Sequence, residues 1–156
     1  MLRSVLDTAA AGLDPQPELK VLVPGREVAW DNSCGQLWVR VESVESLYAQ
    51  ARSGGTAGNC PIGVRMTLGV GIIRCVSTIN DNGDPPTENQ ITADGMQGAI
   101  DASALYKALQ CFTPVNAESS RLMGWNGQGP LGGTGGGEWL FQVRMNNSMY
   151  VTPKEL

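Results

Sequence analysis

Apolar residues occupy every second position from Ile62 to Ile72, within the stretch Pro61–Val76, PIGVRMTLGVGIIRCV. Because side chains at alternate positions of a β-strand point to opposite faces, this pattern predicts a strand with one wholly apolar face. That face consists of Ile62, Val64, Met66, Leu68, Val70 and Ile72. The other face is mostly small or polar, and glycines inside a strand mark a bulge, a bend or the close approach of another backbone. We therefore expect a long central strand that the rest of the chain pairs with or covers.

The beginning of the chain has the spacing of an amphipathic helix. Its apolar positions are Leu2, Val5, Leu6, Ala9, Ala10 and Leu13. Gly12 and the pair Asp14-Pro15 are typical of a helix end. We expect this helix to pack on the domain; docking on a neighbouring subunit is the alternative.

A longer helix is predicted to begin after Thr87, a residue suited to the N-cap, and to run to about Cys111. Its apolar stripe consists of Ile91, Gly95, Gly98, Ala102, Leu105, Leu109 and Phe112, widened by Met96, Ala99 and Ile100. The side that we expect to face solvent consists of Asp94, Gln97, Asp101 and Lys107. Small residues in the first half favour close packing, so this helix is predicted to cover the apolar face of the central strand.

Three further strands are predicted: Glu27–Asp31, followed by a turn at Asn32-Ser33, then Gly35–Val44 and Trp139–Asn146. The covered face of the second of these consists of Leu37, Val39 and Val41. Its outer face carries Trp38 and Arg40, residue types that are enriched at interface hot spots. These two residues are candidates for an assembly interface, and a cross-strand contact within the chain is the equal alternative.

Two stretches, at about residues 46–59 and 113–138, show little periodicity and are predicted to be long loops. Loops of this length tend to be functional or flexible. The second contains the glycine-rich run Gly124–Glu138, GWNGQGPLGGTGGGE, which we expect to be held at its ends by Trp125 and Trp139. It is either a flexible loop or a loop that becomes ordered only in an assembly.

These elements predict a single domain, residues 1–156, of the α+β class. We expect a mostly antiparallel sheet of about four strands, with the N-terminal helix and the long helix packed on one face. Charged residues make up only 17% of the chain, below the usual quarter, so a partner subunit is expected to cover part of the surface. The net charge of −4 argues against a basic face that binds nucleic acid.

Little in the sequence points to catalysis, and we predict no catalytic, cofactor-binding or metal-binding residues. Histidine is absent, which removes the commonest general base and metal ligand. The turn Asn80–Pro86 lacks the ligand spacing of an EF-hand, and Gly124–Glu138 lacks the lysine of a phosphate-binding loop. No stretch is apolar for the roughly 18 residues of a membrane span, and the N-terminus lacks the pattern of a signal peptide. The expectation is a structural or binding protein made in a cytoplasm.

The four cysteines are Cys34, Cys60, Cys75 and Cys111, and none forms a C-x-x-C pair. In a cytoplasm we expect them to be reduced and at least partly buried. If a bridge forms, Cys34–Cys60 is the favoured pair, because both residues are predicted to lie at strand starts.

Four segments resemble small neck and tail-joining proteins from bacteriophages of actinobacteria, and the order of elements resembles the tail terminators of long-tailed phages. The segments are Asp31–Val41 (DNSCGQLWVRV), Gly69–Thr78 (GVGIIRCVST), Thr92–Cys111 (TADGMQGAIDASALYKALQC) and Gly124–Val143 (GWNGQGPLGGTGGGEWLFQV). The resemblance implies a structural virion protein: a ring, six-fold in this family, that caps the tail tube and joins it to the head connector. Proteins of this group often have a cysteine in the glycine-rich loop at the position where this chain has Thr134, so a loop disulfide of that kind is not expected here.

From this resemblance we expect a homo-oligomer that contacts the tail tube protein and a head-closure or neck protein, with DNA passing through the lumen unbound. Candidate assembly residues in the glycine-rich run are Trp125, Gly133, Thr134 and Gly135. The alternatives are another neck component or, in a different class, a small secreted binding module or enzyme. Helix-rich adaptors would have more helix than is predicted here, and head-closure proteins are usually small β-barrels without a long second helix. Intact disulfides would favour the secreted alternative.

Overall fold

The structure, a computed structural model, describes residues 1–25, 28, 34–48 and 61–146. Within them lie two helices and five strands. In chain order these are α1 (Leu2–Ala11), β1 (Leu19–Val23), β2 (Gly35–Tyr48), β3 (Pro61–Cys75), α2 (Glu88–Leu109), β4 (Ser119–Leu131) and β5 (Thr134–Asn146). The α+β class is confirmed.

The five strands form one mixed sheet in the order β1-β2-β3-β5-β4. β1 is parallel to β2, and every other neighbouring pair is antiparallel. The central position of β3 is as the alternation predicted, but the sheet has five strands rather than about four. β1 lies in a stretch interpreted as a connector, and β4 lies in a predicted loop. The predicted strand Glu27–Asp31, except for the single residue Val28, and the turn at Asn32-Ser33 lie outside the described residues.

Both helices pack on the same face of the sheet and enclose the core there. The buried apolar residues of this core are Val5, Leu6, Ala9, Ala10, Leu13, Leu37, Val39, Leu68, Val70, Ile72, Leu105, Leu109, Phe141 and Val143. The alternation in β2 and β3 therefore placed the correct residues of these strands inward. Burial decreases along β2, from buried at Gly35–Arg40 to mostly exposed at its end.

The N-terminus of α2 is fixed by a capping box, because the hydroxyl of Thr87 accepts a hydrogen bond from the Gln90 backbone and the Gln90 side chain accepts one from the Thr87 backbone. Thr87 was the predicted N-cap. The second half of α2 is anchored by Leu105 and Leu109, both fully buried. Asp101, which was expected to face solvent, is instead 3% exposed.

The predicted loop at about residues 113–138 is largely a β-hairpin, so that prediction is wrong. β4 and β5 pair from Ser119 opposite Arg144 to Leu131 opposite Thr134. The tight turn between them consists of Gly132 and Gly133, whose φ angles are +57° and +88°. Positive φ at both central residues is the requirement of the hairpin turn that suits twisted strands, and glycine meets it without strain. The hairpin was missed because glycines carry no side chain with which to reveal a period of two.

β2 extends beyond its predicted end, so Ser46–Tyr48 are strand rather than loop; the rest of that predicted loop, from residue 49 to 59, lies outside the described residues. Gly35 pairs with Arg74, which brings the neighbouring cysteines together. Cys34 is disulfide-bonded to Cys75, with 4.8 Å between their Cα atoms. The expected thiol state of these two residues and the favoured Cys34–Cys60 pairing are therefore both wrong, since antiparallel register rather than position at a strand start decided the partner. Cys111 is a free, exposed thiol.

A cleft between the long helix and the glycine-rich hairpin

A cleft of about 680 Å³ separates the first half of α2 from the β4–β5 hairpin. The end of β3 and the residues that follow it, Arg74–Ser77, form its base. One wall is α2 between Ile91 and Ala102, and the other consists of Trp125, Gln128, Pro130, Gly135 and Gly136.

The cleft exists because the first half of α2 does not pack against the sheet. Gly95 and Gly98 face open space, since a Cβ built at either residue has no neighbour within 4 Å. Ile91, on the same stripe, is 58% exposed. The expectation that small residues bring this part of the helix close to the sheet is therefore wrong. The indole N–H of Trp139 donates to the carbonyl oxygen of Ala102 at 2.9 Å, and from there the helix is held to β5.

A buried ion pair lies at the base of the cleft. The Arg74 guanidinium donates to both carboxylate oxygens of Asp101, at 2.6 and 2.9 Å. It also donates to the carbonyl oxygen of Pro15 at 2.7 Å, and the Gln97 amide donates to Asp101 at 3.1 Å and to the Asp14 carbonyl oxygen at 3.2 Å. This network joins β3, α2 and the connector after α1. Asp101 lies four residues before Leu105 on the buried stripe, and that spacing was the available signal.

Four of the six candidate assembly residues lie together on the hairpin. The ring of Trp125 lies 5.8 Å from that of Trp139 and over Gly137, where a Cβ would overlap the indole. The Gly133 carbonyl oxygen accepts a hydrogen bond from the Val76 amide at 2.8 Å. Thr134 is 4% exposed, and Gly135 packs beside Val76 and lines the cleft. The hairpin is thus held within the chain, and one of its sides faces the cleft.

The other two candidates, Trp38 and Arg40, lie on the opposite face of the sheet and are 2% and 9% exposed. Arg40 bonds both carboxylate oxygens of Glu138 and one of Glu42, while the Trp38 indole N–H donates to Glu138 at 3.4 Å. The hydrogen bonding that Arg40 donates to Glu138 is the main cause of the raised pKa of Arg40. The structure therefore has the cross-strand contact that was the alternative to an interface anchor. Glu138, assigned to a loop, was missed as its partner.

The cleft offers apolar surface rather than reactive groups. Its ion pair is fully engaged, and the Asp94 carboxylate accepts a hydrogen bond from the Ser77 amide at 2.8 Å. Among the described residues no three histidine, cysteine or acidic side chains are grouped to hold a metal ion, and neither helix there is long and apolar enough to cross a membrane.

No protein-family model matches the chain, and no curated protein matches its sequence at a significant level.

Proposed function

We propose that the protein is a non-enzymatic virion component, a tail terminator whose copies form a ring that caps the tail tube of a long-tailed phage and joins it to the head connector. In this proposal DNA passes through the lumen without specific contacts. The protein is made in the host cytoplasm and resides in the neck of the virion.

One observation carries the proposal: three of the four segments that resemble phage neck proteins line the cleft, and the fourth is joined to its base by a disulfide. Parts of Gly69–Thr78, Thr92–Cys111 and Gly124–Val143 line the cleft. The described part of the fourth segment, Asp31–Val41, is tied to the same region by the Cys34–Cys75 disulfide. A resemblance that converges on one surface supports a shared binding role more strongly than one scattered through the core.

The exposed surface of α2 supports an assembling protomer. Ile91, Met96 and Ile100 are 58%, 61% and 50% exposed. From residue 88 to residue 100 the sequence has only two charged residues, Glu88 and Asp94. A helix face that meets only water normally carries more charge. Exposed apolar surface with a polar rim is characteristic of protein–protein contacts.

The alternatives differ in what they require of the fold. An open five-stranded sheet with one 22-residue helix fits a helix-rich adaptor or a β-barrel head-closure protein less well than it fits a tail terminator. The Cys34–Cys75 disulfide favours a different candidate, a secreted binding module, because such bridges persist mainly in oxidising compartments.

The test uses the purified chain and the tail tube protein of the same phage. A terminator is expected to form rings visible by negative-stain electron microscopy and to stop tube growth when added to polymerising tube protein. An unrelated protein of similar mass is the control for crowding. A chain that stays monomeric and leaves tube length unchanged contradicts the proposal, and secretion in an oxidised, monomeric form would favour the binding module.

A further inference from the structure

The two ends of the sheet carry opposite charge. The residues from Val76 to Ile100 include Asp81, Asp84, Glu88 and Asp94 and no lysine or arginine. Asp81, Asp84 and Glu88 are exposed. Exposed apolar side chains lie among these carboxylates: Ile79, Ile91 and Met96 are 66%, 58% and 61% exposed. We call this surface, Ile79–Met96, the acidic end.

Three arginines lie on one face at the other end of the same strands. In the sheet, β5 lies between β3 and β4, and Arg65 of β3 is directly opposite Arg144 of β5. Arg121 of β4 pairs with Gln142, two residues away from Arg144. Like charges directly opposite each other destabilise a sheet, so this arrangement is unfavourable in the isolated chain. We call Arg65, Arg121 and Arg144 the arginine end.

Ion pairs within the chain offset part of this charge, since three arginines and two glutamates, Glu45 and Glu118, leave a net charge of +1. Arg65 pairs with Glu45 at 3.3 Å and Arg144 with Glu118 at 3.0 Å, on exposed side chains where such pairs contribute little. Arg121 donates to the Gln142 amide oxygen at 3.1 Å and has no carboxylate partner among the described residues. Val44 and Ile62 are also exposed at this end, at 58% and 46%, but they lie on the opposite face of the sheet from the arginines, since Val44 pairs with Met66 on the face that the helices cover.

We propose that the acidic end of one copy binds the arginine end of a second copy. The two surfaces are complementary in charge, since the acidic end exposes Asp81, Asp84 and Glu88 and the arginine end carries three arginines. They are separated along β3 by the ten residues from Arg65 to Cys75, roughly 33 Å of strand, so one copy cannot satisfy both. Contacts between two different surfaces of identical chains are heterologous, and they close into a ring or continue as a filament.

This inference rests on the proposed function only in that copies assemble, and a charge exchange tests it. The first variant carries Arg65→Glu and Arg121→Glu, and the second carries Asp81→Lys and Glu88→Lys. Because like charges across an interface cost several kcal/mol, each variant alone is expected to self-associate more than about tenfold more weakly than the unaltered chain in analytical ultracentrifugation. An equimolar mixture is expected to associate again, since each contact then joins opposite charges.

Two controls separate the contact from folding and from total charge. Arg3→Glu with Lys107→Glu makes the same change in net charge as the first variant, on exposed helix positions outside both ends, and is expected to leave association unchanged. Arg65→Gln with Arg121→Gln avoids new repulsion with Glu45 and is expected to weaken association less than the glutamate variant. Circular dichroism melts of all variants identify any loss of fold.

The proposal is overturned if the unaltered chain does not self-associate, if both folded charge variants associate normally, or if their mixture does not recover. Binding of duplex DNA by the arginine end in place of a second copy would also overturn it. Rings that form normally in both charge variants contradict this contact and leave the terminator proposal standing. Association through these ends without capping of tail tubes supports this contact and contradicts the terminator proposal.

Discussion

The guanidinium of Arg74 donates hydrogen bonds to both carboxylate oxygens of Asp101, and this pair joins the end of the central strand to the middle of the long helix. Both residues are largely buried, at 9% and 3% exposure. A buried ion pair is weak evidence for net stabilisation, but removing one partner leaves an uncompensated charge in the interior. The pair therefore specifies where α2 lies while the first half of that helix stays clear of the sheet.

We expect Asp101→Ala to lower the free energy of unfolding by about 3–5 kcal/mol, because the Arg74 charge stays buried without a carboxylate. Urea denaturation followed by tryptophan fluorescence measures the loss. Asp7→Ala is the matched control: it removes the exposed Arg3–Asp7 pair, at 3.5 Å, and is expected to cost less than about 1 kcal/mol. Equal effects of the two substitutions would contradict the burial of Asp101.

Alanine is expected to have opposite effects at Gly71 and Gly95. The Trp38 indole lies over Gly71, and a Cβ there would overlap the ring and approach the Gly137 carbonyl oxygen to 2.6 Å, so Gly71→Ala is expected to destabilise by about 1–3 kcal/mol. Gly95 faces open space in α2, where alanine is expected to stabilise the helix by about 0.5–1 kcal/mol. Thermal melts of both variants give the signs. A stable Gly71→Ala protein would mean that Trp38 lies elsewhere.

Loss of the Cys34–Cys75 bridge is expected to lower the free energy of unfolding by about 3–4 kcal/mol, because the bridge closes a loop between residues 41 positions apart and restricts the unfolded chain. Cys34→Ser with Cys75→Ser tests this by denaturation under non-reducing conditions. Cys111→Ser, at an exposed free thiol, is expected to have no effect. If a reductant destabilises the double variant as much as the unaltered chain, another bridge carries the effect.

Arg40→Lys is expected to cost about 1–3 kcal/mol, because an ammonium group cannot form the paired hydrogen bonds that the guanidinium makes with Glu138. The raised pKa of Arg40 means that its contribution is complete below the pKa of arginine in the unfolded chain and is lost only above its folded value. The loss is therefore expected to stay constant from about pH 6 to about pH 10. Denaturation at several pH values checks this, and a loss that disappears within that range would contradict the assignment.

Local patterns were sufficient for α1, for the start of α2 and for the buried faces of β2 and β3. Each of these depends on residues within one or two turns, or on alternation along one strand. The capping box needed only Thr87 and Gln90, three residues apart. The stripe of α2 was predicted correctly in the second half of the helix, at Leu105 and Leu109, and wrongly in the first half, where Ile91 is exposed and Gly95 and Gly98 face open space.

The glycine-rich run shows why the candidate site was only partly predictable. Glycine has no side chain to show which face of a strand is apolar, so the sequence could not distinguish a loop from the β4–β5 hairpin. Gly137 of this run is needed because the Trp125 ring lies over its backbone. The candidate residues of this run proved to be neighbours, whereas Trp38 and Arg40 belong to the opposite face.

The sequence by itself determined α1, α2, β2, β3 and the second half of β5, together with the buried apolar side chains of β2 and β3, since these follow from periodicity within a segment. Only the tertiary structure decided the partners: Arg74 with Asp101, Arg40 with Glu138 and Cys34 with Cys75, which are 27, 98 and 41 residues apart. Strand register and helix placement bring such residues together, and neither is a property of any one segment. The cleft and the two oppositely charged ends follow from the same long-range arrangement.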